Sequence, residues 1–495
     1  MTMSSREEEL YQERLAKLQR LRDRGIDPYP ARFKPSHTAA EARAAFEAWE
    51  ARSESDAPAA RVAGRITARR PMGKAAFLDL TDGSGRIQVF AQRDKLSEAD
   101  WELFRDTDLG DILGTEGPLF RTRAGEISVE AAGLTMLAKA LQTPPEKYHG
   151  LSDIEQRYRQ RYRDLIANED TRELFVLRSR VVAAMRRFLD GRGFMEVETP
   201  ILTDLSGGAA AKPFVTHHNV LERDLYLRIA TELYLKRLVV GGFDKVYEIG
   251  RIFRNEGLSW KHSPEYTMLE SYEAYADYND VMAMMEQMVS TIASETMGTT
   301  KVSVEGTEIE LKPPWRRLSM RQALIDYADF DMEEYRNIED LKIRMTEMGI
   351  PPDPAAGWGK LIDQVCADRV EAKLIQPTFL IDYPLELSPL AKRKPDDSRY
   401  VERFEAFTMG FELGNAYSEL NDPLEQRARF VEQALLRAAG DEETESIDED
   451  FIVALEHGMP PTGGLGVGVD RLVMLLSGRL SIREVILFPT LRERR

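Results

Sequence analysis

The stretch from Tyr247 to Tyr272, YEIGRIFRNEGLSWKHSPEYTMLESY, constrains this chain more than any other. Aromatic and β-branched residues from Tyr247 to Arg254 predict a strand, and polar residues from Gly257 to Pro264 predict a loop. Tyr266 to Tyr272 then predicts a returning strand, which makes a hairpin with a long tip. Alternation along a strand puts Arg254 and Glu256 on one face, and likewise Tyr266, Glu270 and Tyr272, with His262 in the loop. A guanidinium, a carboxylate and an aromatic ring facing one way can hold a phosphate, an adenine edge and a stacked ring. A lone Arg-x-Glu is more simply a surface ion pair, so the rest of the chain has to decide.

At 495 residues the chain has room for two or three domains. Its 43% hydrophobic and 31% charged residues are ordinary for a soluble globular protein. No apolar run approaches the ~20 residues of a membrane helix. Met1 to Arg24 is charged throughout, so neither a signal peptide nor an anchor is expected. Cys366 is the single cysteine, which excludes internal disulfides and cysteine-based zinc sites. A cytoplasmic protein without a membrane partner is expected.

The net charge of −17 argues against a nucleic-acid partner only on average. Between Arg61 and Lys95 lie Arg65, Arg69, Arg70, Lys74, Arg86 and Arg93, opposed by Asp79, Asp82 and Asp94. A second basic cluster runs from Arg157 to Arg163. Acids gather later, at Asp441-Glu442-Glu443 and Asp448-Glu449-Asp450. The basic part is where RNA would dock.

Taken in order, residues 5 to 24 predict an amphipathic helix with Leu10, Leu18 and Leu21 near one stripe, ended by Gly25 and Pro28. A second helix is expected over 39–52, then a polar break from Ser53 to Pro58. Short alternating strands follow at Val62–Ile66, Ala76–Leu80, Ile87–Phe90, Asp111–Leu113 and Glu126–Val129, with Asp82-Gly83-Ser84-Gly85 as a turn. Five strands with a basic face suggest a small barrel, of OB type or another. On it, Phe77 is a candidate for stacking a splayed base, and Gln88 and Glu126 for reading base edges, and each is equally readable as a structural strand residue. Lys139 to Leu151, with Pro144-Pro145, reads as a linker.

Asp170 and Glu173 make a capping-box pattern ahead of a helix marked by Leu174, Leu177, Val181, Met185 and Phe188 and stopped by Gly191 and Gly193. A strand is expected over Phe194–Thr199, a flexible loop at Ser206–Ala209, and a strand over Leu225–Ala230 leading into a helix opened by Glu232. The Met-rich segment and hairpin between Asn279 and Ile350 carry no assigned chemistry. Gly359-Lys360 lacks the earlier glycine and the Ser/Thr of a phosphate loop. Gly463–Arg471 likewise fails the spacing of a dinucleotide fingerprint. Glu405 and Glu412 fall in otherwise apolar strands. Such acids are costly unless paired or bound to a metal, so they are a candidate magnesium pair or else outward surface acids.

Three segments then carry a resemblance. Arg254-Asn255-Glu256 with His262 and Pro264-Glu265-Tyr266 closely resembles the second signature motif of class II aminoacyl-tRNA synthetases. Gly193 to Pro200 resembles the first, and Gly466-Val467-Gly468-Val469-Asp470-Arg471 the third, in the family's order. With the intervening sequence, the resemblance narrows to class II lysyl-tRNA synthetases and covers nearly the whole chain. It implies an α+β fold whose antiparallel sheet is flanked by helices and preceded by an OB-type β-barrel. The expected divisions are N-terminal helices over 1–58, an anticodon-binding barrel over 59–140, a linker over 141–156 and a catalytic domain over 157–495, with a helical insertion near 279–350. Arg69 to Lys74 followed by Phe77 is similar to the family's anticodon barrel.

The resemblance also implies ATP and L-lysine as substrates, Mg2+ as cofactor, tRNA(Lys) as partner and a homodimer built on the first motif. By resemblance, Gly208 and Glu232 hold the α-ammonium, Arg254 and Asn415 the carboxylate, and Glu419 and Tyr272 the ε-ammonium, with Glu270 and Tyr417 beside them. Arg254 bridges carboxylate and α-phosphate, Arg471 and His262 hold the outer phosphates, Glu256 takes the adenine amino group and Tyr266 stacks on its ring. Glu405 and Glu412 are the implied metal acids. Ser263 and Ser271 depart from the family pattern, where Asn and a larger residue are expected. Two other readings compete: a relative that charges another amino acid or modifies a protein with lysine, and a silent RNA-binding paralogue. The acidic pocket opposes a different amino acid and the barrel opposes a protein substrate. A silent copy usually lacks the arginines and acids that are present here.

Overall fold

The computed structural model describes residues 5–52, 56–145, 151–205, 207–209, 211–438 and 447–493. Ser206, residues 53–55 of the polar break, residues 146–150 of the linker and the acids Asp441-Glu442-Glu443 lie outside the described residues. Contacts divide the chain into Met1–Ser152 and Asp153–Arg495.

In the first unit, period-two patterning closes a barrel. Its strands run Ala59–Met72, Ala75–Thr81, Arg86–Gln92, Ile127–Glu130, Ile112–Arg121 and Gly133–Ala138 in spatial order, and Ala59–Arg65 also pairs with Ile112–Pro118 to close the ring. Val62, Ile66, Leu78, Val89, Leu113 and Val129 point inward and are buried. The five expected strands are all present. The sixth, Gly133–Ala138, and a helix over Glu98–Arg105 are additions. That helix is capped by Ser97, whose side chain accepts from the Asp100 N–H. The first strand also runs six residues past Ile66, because Arg69 to Met72 still pair with Leu78 to Ala75 without any apolar alternation to signal it. Helices Ser5–Asp23 and Ala39–Arg52 place Leu21, Ala42 and Phe46 in the barrel's own core.

The second unit is an eight-stranded sheet. In spatial order its strands are Arg316–Ser319, Thr378–Pro384, Tyr400–Thr408, Phe411–Ser418, Thr462–Gly468, Glu265–Ala274, Lys245–Phe253 and Met195–Glu196. The two edge strands pair in parallel and the rest are antiparallel. Helices Glu169–Asp190, Tyr278–Met297 and Val469–Ser477 cover one face, where Met282, Met285, Met288, Val181, Leu465 and Val467 are fully or almost fully buried. The methionines of the expected insertion therefore sit in the principal core, as adaptable filler between helices. The opposite face is covered at one side by helices of 320–369 and at the other by helices Glu232–Val240 and Glu449–Glu456. The functional side chains lie between those two covers.

Two local expectations are corrected. The long helix begins at Glu169 with Asn168 as N-cap and no side-chain cap bond; Asp170 is already inside it and pairs with Arg479. The Asp170/Glu173 pattern is thus not a capping box. The expected strand over Phe194–Thr199 pairs only at Met195–Glu196, since Thr199 turns its N–H and hydroxyl to the Glu248 carboxylate instead. Among the described residues no helix is long and apolar enough to cross a membrane.

Candidate active site

The hairpin forms as its residues require, with Lys245–Phe253 paired antiparallel to Glu265–Ala274. Alternation holds on the return strand, where the Tyr272 hydroxyl donates to Glu270 Oε2 at 3.3 Å. It does not carry past Phe253. The Glu256 N–H closes back on the Arg254 carbonyl at 2.8 Å, so Arg254 and Glu256 do not share a strand face as expected, and Glu256 is exposed at the start of the loop.

Register across the sheet assembles the rest. One row runs Glu405, Asn415, Gly466, Glu270, Glu248; the next runs Arg403, Tyr417, Gly464, Tyr272. Gly464, Gly466 and Gly468 alternate with the buried Leu465 and Val467, so the middle strand shows bare backbone on the site face and packs on the core face. The result is a furrow between Asn415 and Tyr417 on one side and Glu270 and Tyr272 on the other. At Gly464 a Cβ would run into Glu419 Oε1 and come within 2.6 Å of Tyr272 Cε1, so only glycine fits.

The furrow is strongly acidic. Glu232, Glu270 and Glu419 are all buried there. Burial, then Glu232, pushes Glu270 up to about 7. Burial pushes Glu419 up to about 8, with Glu232 adding to it and Lys236 opposing it. Glu270 accepts the Thr231 N–H at 3.0 Å. Gly208, at φ +86°, has the left-handed backbone that favours glycine, and a Cβ there would stand a tight 3.2 Å from Ala230 Cβ and 3.3 Å from Glu232 Cβ. Sequence reasoning missed Lys236, whose fully buried Nζ lies 2.5 Å from both Glu232 Oε1 and Glu419 Oε2. Neither Glu419 oxygen has a hydrogen-bond partner among the described residues, so Lys236 meets Glu419 as an ion pair.

Beside the acids lies a cationic end. Arg254 Nε donates to the Ile229 carbonyl at 3.3 Å and its guanidinium stands 5.6 Å over the Tyr266 ring. Burial works against its charge, but Tyr266, Glu256, Glu412 and Glu270 outweigh it and hold Arg254 protonated. Arg471, in the first turn of Val469–Ser477, donates to the Glu412 carbonyl and carboxylate at 2.9 and 3.1 Å. His262 packs on Ser259, whose hydroxyl pairs with Nδ1 at 2.9 Å. Burial, then Arg471 and Lys261, pushes His262 down to about 4, so the imidazole is neutral at ordinary pH and offers a hydrogen bond, not a charge. Burial raises the Tyr266 hydroxyl to about 12.

Glu412 reaches the site face through a bulge. Ala406 pairs with Gly414 but Phe407 with Glu412, which leaves Leu413 unpaired and buried in the core. Without that extra residue, alternation would turn Glu412 away from Asn415. Glu405 is held by Arg403 Nη2 at 2.5 Å and pushed up to about 7 by burial, with Arg403 opposing and Glu412 adding. The donor set suits a hard divalent ion. Two carboxylates feel each other's charge, no third metal-ligating group joins them among the described residues, and magnesium takes one or two carboxylates plus substrate phosphates. Arg403 was also missed. It lies half-buried over the Tyr383 ring and donates to Asn415 Oδ1, the Leu387 carbonyl and Ser388 Oγ as well as Glu405. Asn415 in turn donates to the Tyr417 hydroxyl at 2.7 Å.

On the barrel, Phe77 stacks on Phe90 at 4.6 Å, and Phe90 meets Phe120 at 5.9 Å. Gln88 accepts from Ser128 at 2.9 Å, and Glu126 pairs with Arg86. Phe90 could have been found from its alternation with Gln88. The basic cluster is less free than its count suggests. Arg70 and Arg86 both pair with Asp79, Arg65 donates to the Gly110 carbonyl, and Arg69 to that of Phe104.

Comparison with known proteins agrees with this geometry. A family model described as tRNA synthetases class II (D, K and N) matches residues 153–492, and one described as an OB-fold nucleic acid binding domain matches residues 60–137. A lysine–tRNA ligase of Dehalococcoides mccartyi is 55% identical over 489 residues, 99% of this chain and 98% of the relative. Lysine–tRNA ligases of Pelotomaculum thermopropionicum and Chloroflexus aurantiacus are each 52% identical, over 99% and 98% of this chain and 97% and 99% of theirs. A furrow floored by glycines, walled by acids at one end and arginines at the other, thus sits in a chain that belongs to the class II (D, K and N) tRNA synthetases.

Proposed function

We infer that the protein activates L-lysine with ATP and transfers the lysyl group to the 3′ end of tRNA(Lys). The observation that carries the choice of amino acid is the set of three buried glutamates, Glu232, Glu270 and Glu419, at one end of the furrow. A ligand with two ammonium groups satisfies them, whereas a neutral isostere would leave buried charge unpaired. Arg254 and Asn415 would take the carboxylate, and Gly208 with Glu232 the α-ammonium. Tyr272, Tyr417 and Glu419 would surround the ε-ammonium.

The lysine carboxylate attacks the α-phosphate of ATP and pyrophosphate leaves. A carboxylate is already ionised near neutral pH, so no general base is required. The chain's contribution is positioning and charge: Arg254 between carboxylate and α-phosphate, Arg471 and neutral His262 on the outer phosphates, Glu256 and Tyr266 on the adenine. Glu405 and Glu412 would hold Mg2+, which would neutralise phosphate charge. The 3′-terminal hydroxyl of the tRNA then attacks the carbonyl carbon of the adenylate, forming the ester and giving up its proton as AMP leaves. Phe77, Phe90 and Phe120 form a stacking strip suited to anticodon bases, with Gln88 and Glu126 at its edge. The exposed Met195, Ile201, Leu202, Val215 and Phe243 around the first motif support a homodimer, and a role in translation supports a cytoplasmic location.

Amino-acid-dependent ATP–pyrophosphate exchange without tRNA tests this reading, with lysine, ornithine, arginine, aspartate and asparagine compared. Exchange with lysine, and its loss by about a hundredfold or more in Arg254→Ala, is expected. Exchange with none of the five would sink the activity, and preference for aspartate or asparagine would sink the pocket.

A further inference from the structure

Lys236 lies where the substrate's own cations are expected, yet it belongs to the chain. It sits one turn after Glu232 on helix Glu232–Val240, with Glu232 and Glu419 each 2.5 Å away and no exposure to solvent. The ring of Phe451 closes the space behind it at 5.9 Å. The remaining groups facing this ammonium and its partners are Glu270, Tyr272 and Tyr417. The furrow thus gathers three carboxyl groups around one buried ammonium, and burial holds two of them, Glu270 and Glu419, above the ordinary carboxylate range. Two more cations would balance it, which is the number lysine brings in its α- and ε-ammonium groups.

We propose that Lys236 is a positioning residue for amino-acid specificity: a resident ammonium that draws Oε2 of Glu419 towards itself and so turns Oε1 to the furrow for the substrate's ε-ammonium. The inference rests on the lysine-site reading above. Lys236 forms its ion pair with Oε2 of Glu419, while Oε1 lies over Gly464, beside the Tyr272 ring, and neither oxygen has a hydrogen-bond partner among the described residues. Without Lys236, Glu232 and Glu419 would face each other with no cation between them, and the proton that burial already favours on Glu419 would be held more tightly. Lysine would then have to displace that proton on binding. With Lys236 in place the site selects for two ammonium groups, because a ligand with one leaves a net buried charge.

The test compares wild type, Lys236→Met and Lys236→Arg. Lysine KM is taken from pyrophosphate exchange between about pH 6.5 and 9. Lys236→Met should raise lysine KM at neutral pH by about a hundredfold or more, with a much smaller change in kcat. That KM should fall again as pH rises, through a midpoint above that of wild type. Lys236→Arg, which keeps the charge, should keep the wild-type pH midpoint whatever its KM. An unshifted midpoint in Lys236→Met, or an equal shift in both variants, would overturn the proposal. Should Lys236→Met not fold, the midpoint of Lys236→Arg decides alone. Wild type without lysine-dependent exchange would instead overturn the site reading, so the two failures are distinguishable.

Discussion

Gly466 stands in the floor of the furrow, between Asn415 on one neighbouring strand and Glu270 on the other. A Cβ built there meets nothing nearer than the Asn415 carbonyl at 3.8 Å and Met268 Sδ at 3.9 Å, and the backbone is not left-handed. Gly466→Ala therefore fits the ligand-free protein, and the loss of unfolded-chain freedom should stabilise it by about 0.4–1 kcal/mol. The added methyl points into the space assigned to ligand. Overpacking of a fitted site costs about 1–3 kcal/mol, and at about 1.4 kcal/mol per tenfold the KM for lysine or ATP should rise roughly 5- to 150-fold. Gly464→Ala is the contrast, because its methyl would collide with Glu419 and Tyr272 already in the empty protein. Thermal melting without ligand and exchange kinetics separate the two. Gly466→Ala should melt at or above the wild-type temperature while losing affinity, and Gly464→Ala should lose both. Wild-type KM values for both substrates in Gly466→Ala would refute the claim that ligands lie along this strand.

Three further outcomes follow from the same geometry. Arg403→Ala leaves the half-buried Glu405 without its cation, so denaturant unfolding should show a loss of about 1–3 kcal/mol; Lys at this position should recover only part, since a point charge cannot serve four acceptors. Glu270 is held at about 7, above its ordinary value of 4.5, so the folded state binds the extra proton between those values. That stability is present below about 4.5 and lost as pH rises through 7, by something on the order of 2–3 kcal/mol. Glu270→Gln removes the loss, and should be more stable than wild type at pH 8 while lysine-dependent exchange collapses. Phe90→Ala should raise the KM for tRNA by roughly 5- to 150-fold, from about 1–3 kcal/mol of lost stacking, while exchange without tRNA keeps its rate.

How much of this was legible in the sequence depends on which kind of contact made it. The hairpin, the barrel strands and the glycine-rich third motif are local patterns, and each formed where the spacing put it. Glu405 and Glu412 were legible as acids in apolar strands, but the bulge at Leu413 that turns Glu412 inward leaves no local mark. Lys236 was invisible for a different reason: Glu232 and Lys236 at i and i+4 read as an ordinary helix-surface pair, and only the sheet packed over them makes the pair a buried one. Arg403 reads the same way, one more charge on a strand, until four acceptors from separate segments converge on it. The barrel arginines failed in the opposite direction. Counted along the chain they look like a free basic face, but Asp79 and two backbone carbonyls occupy several of them.

The distribution of unfavourable choices across the central sheet points to ligand rather than to folding. A glycine inside a strand costs roughly 0.5–1 kcal/mol relative to alanine, and Gly464, Gly466 and Gly468 sit in one strand near the centre of the sheet. Their partners Leu465 and Val467 are almost wholly buried, so the core face of the same strand is packed in the usual way. The raised carboxylates follow the same division. Glu270, Glu405 and Glu419 all face the furrow, where burial makes their charge unfavourable, while the core face holds apolar side chains. A strand under selection for stability alone would have no reason to divide its costs by face. Cations entering from solution remove the penalty on the acids, and a ligand's surface supplies the packing that the glycines leave out. The empty enzyme is therefore held in a state that its substrates relax, which places binding energy where two ammonium groups and a triphosphate have to meet.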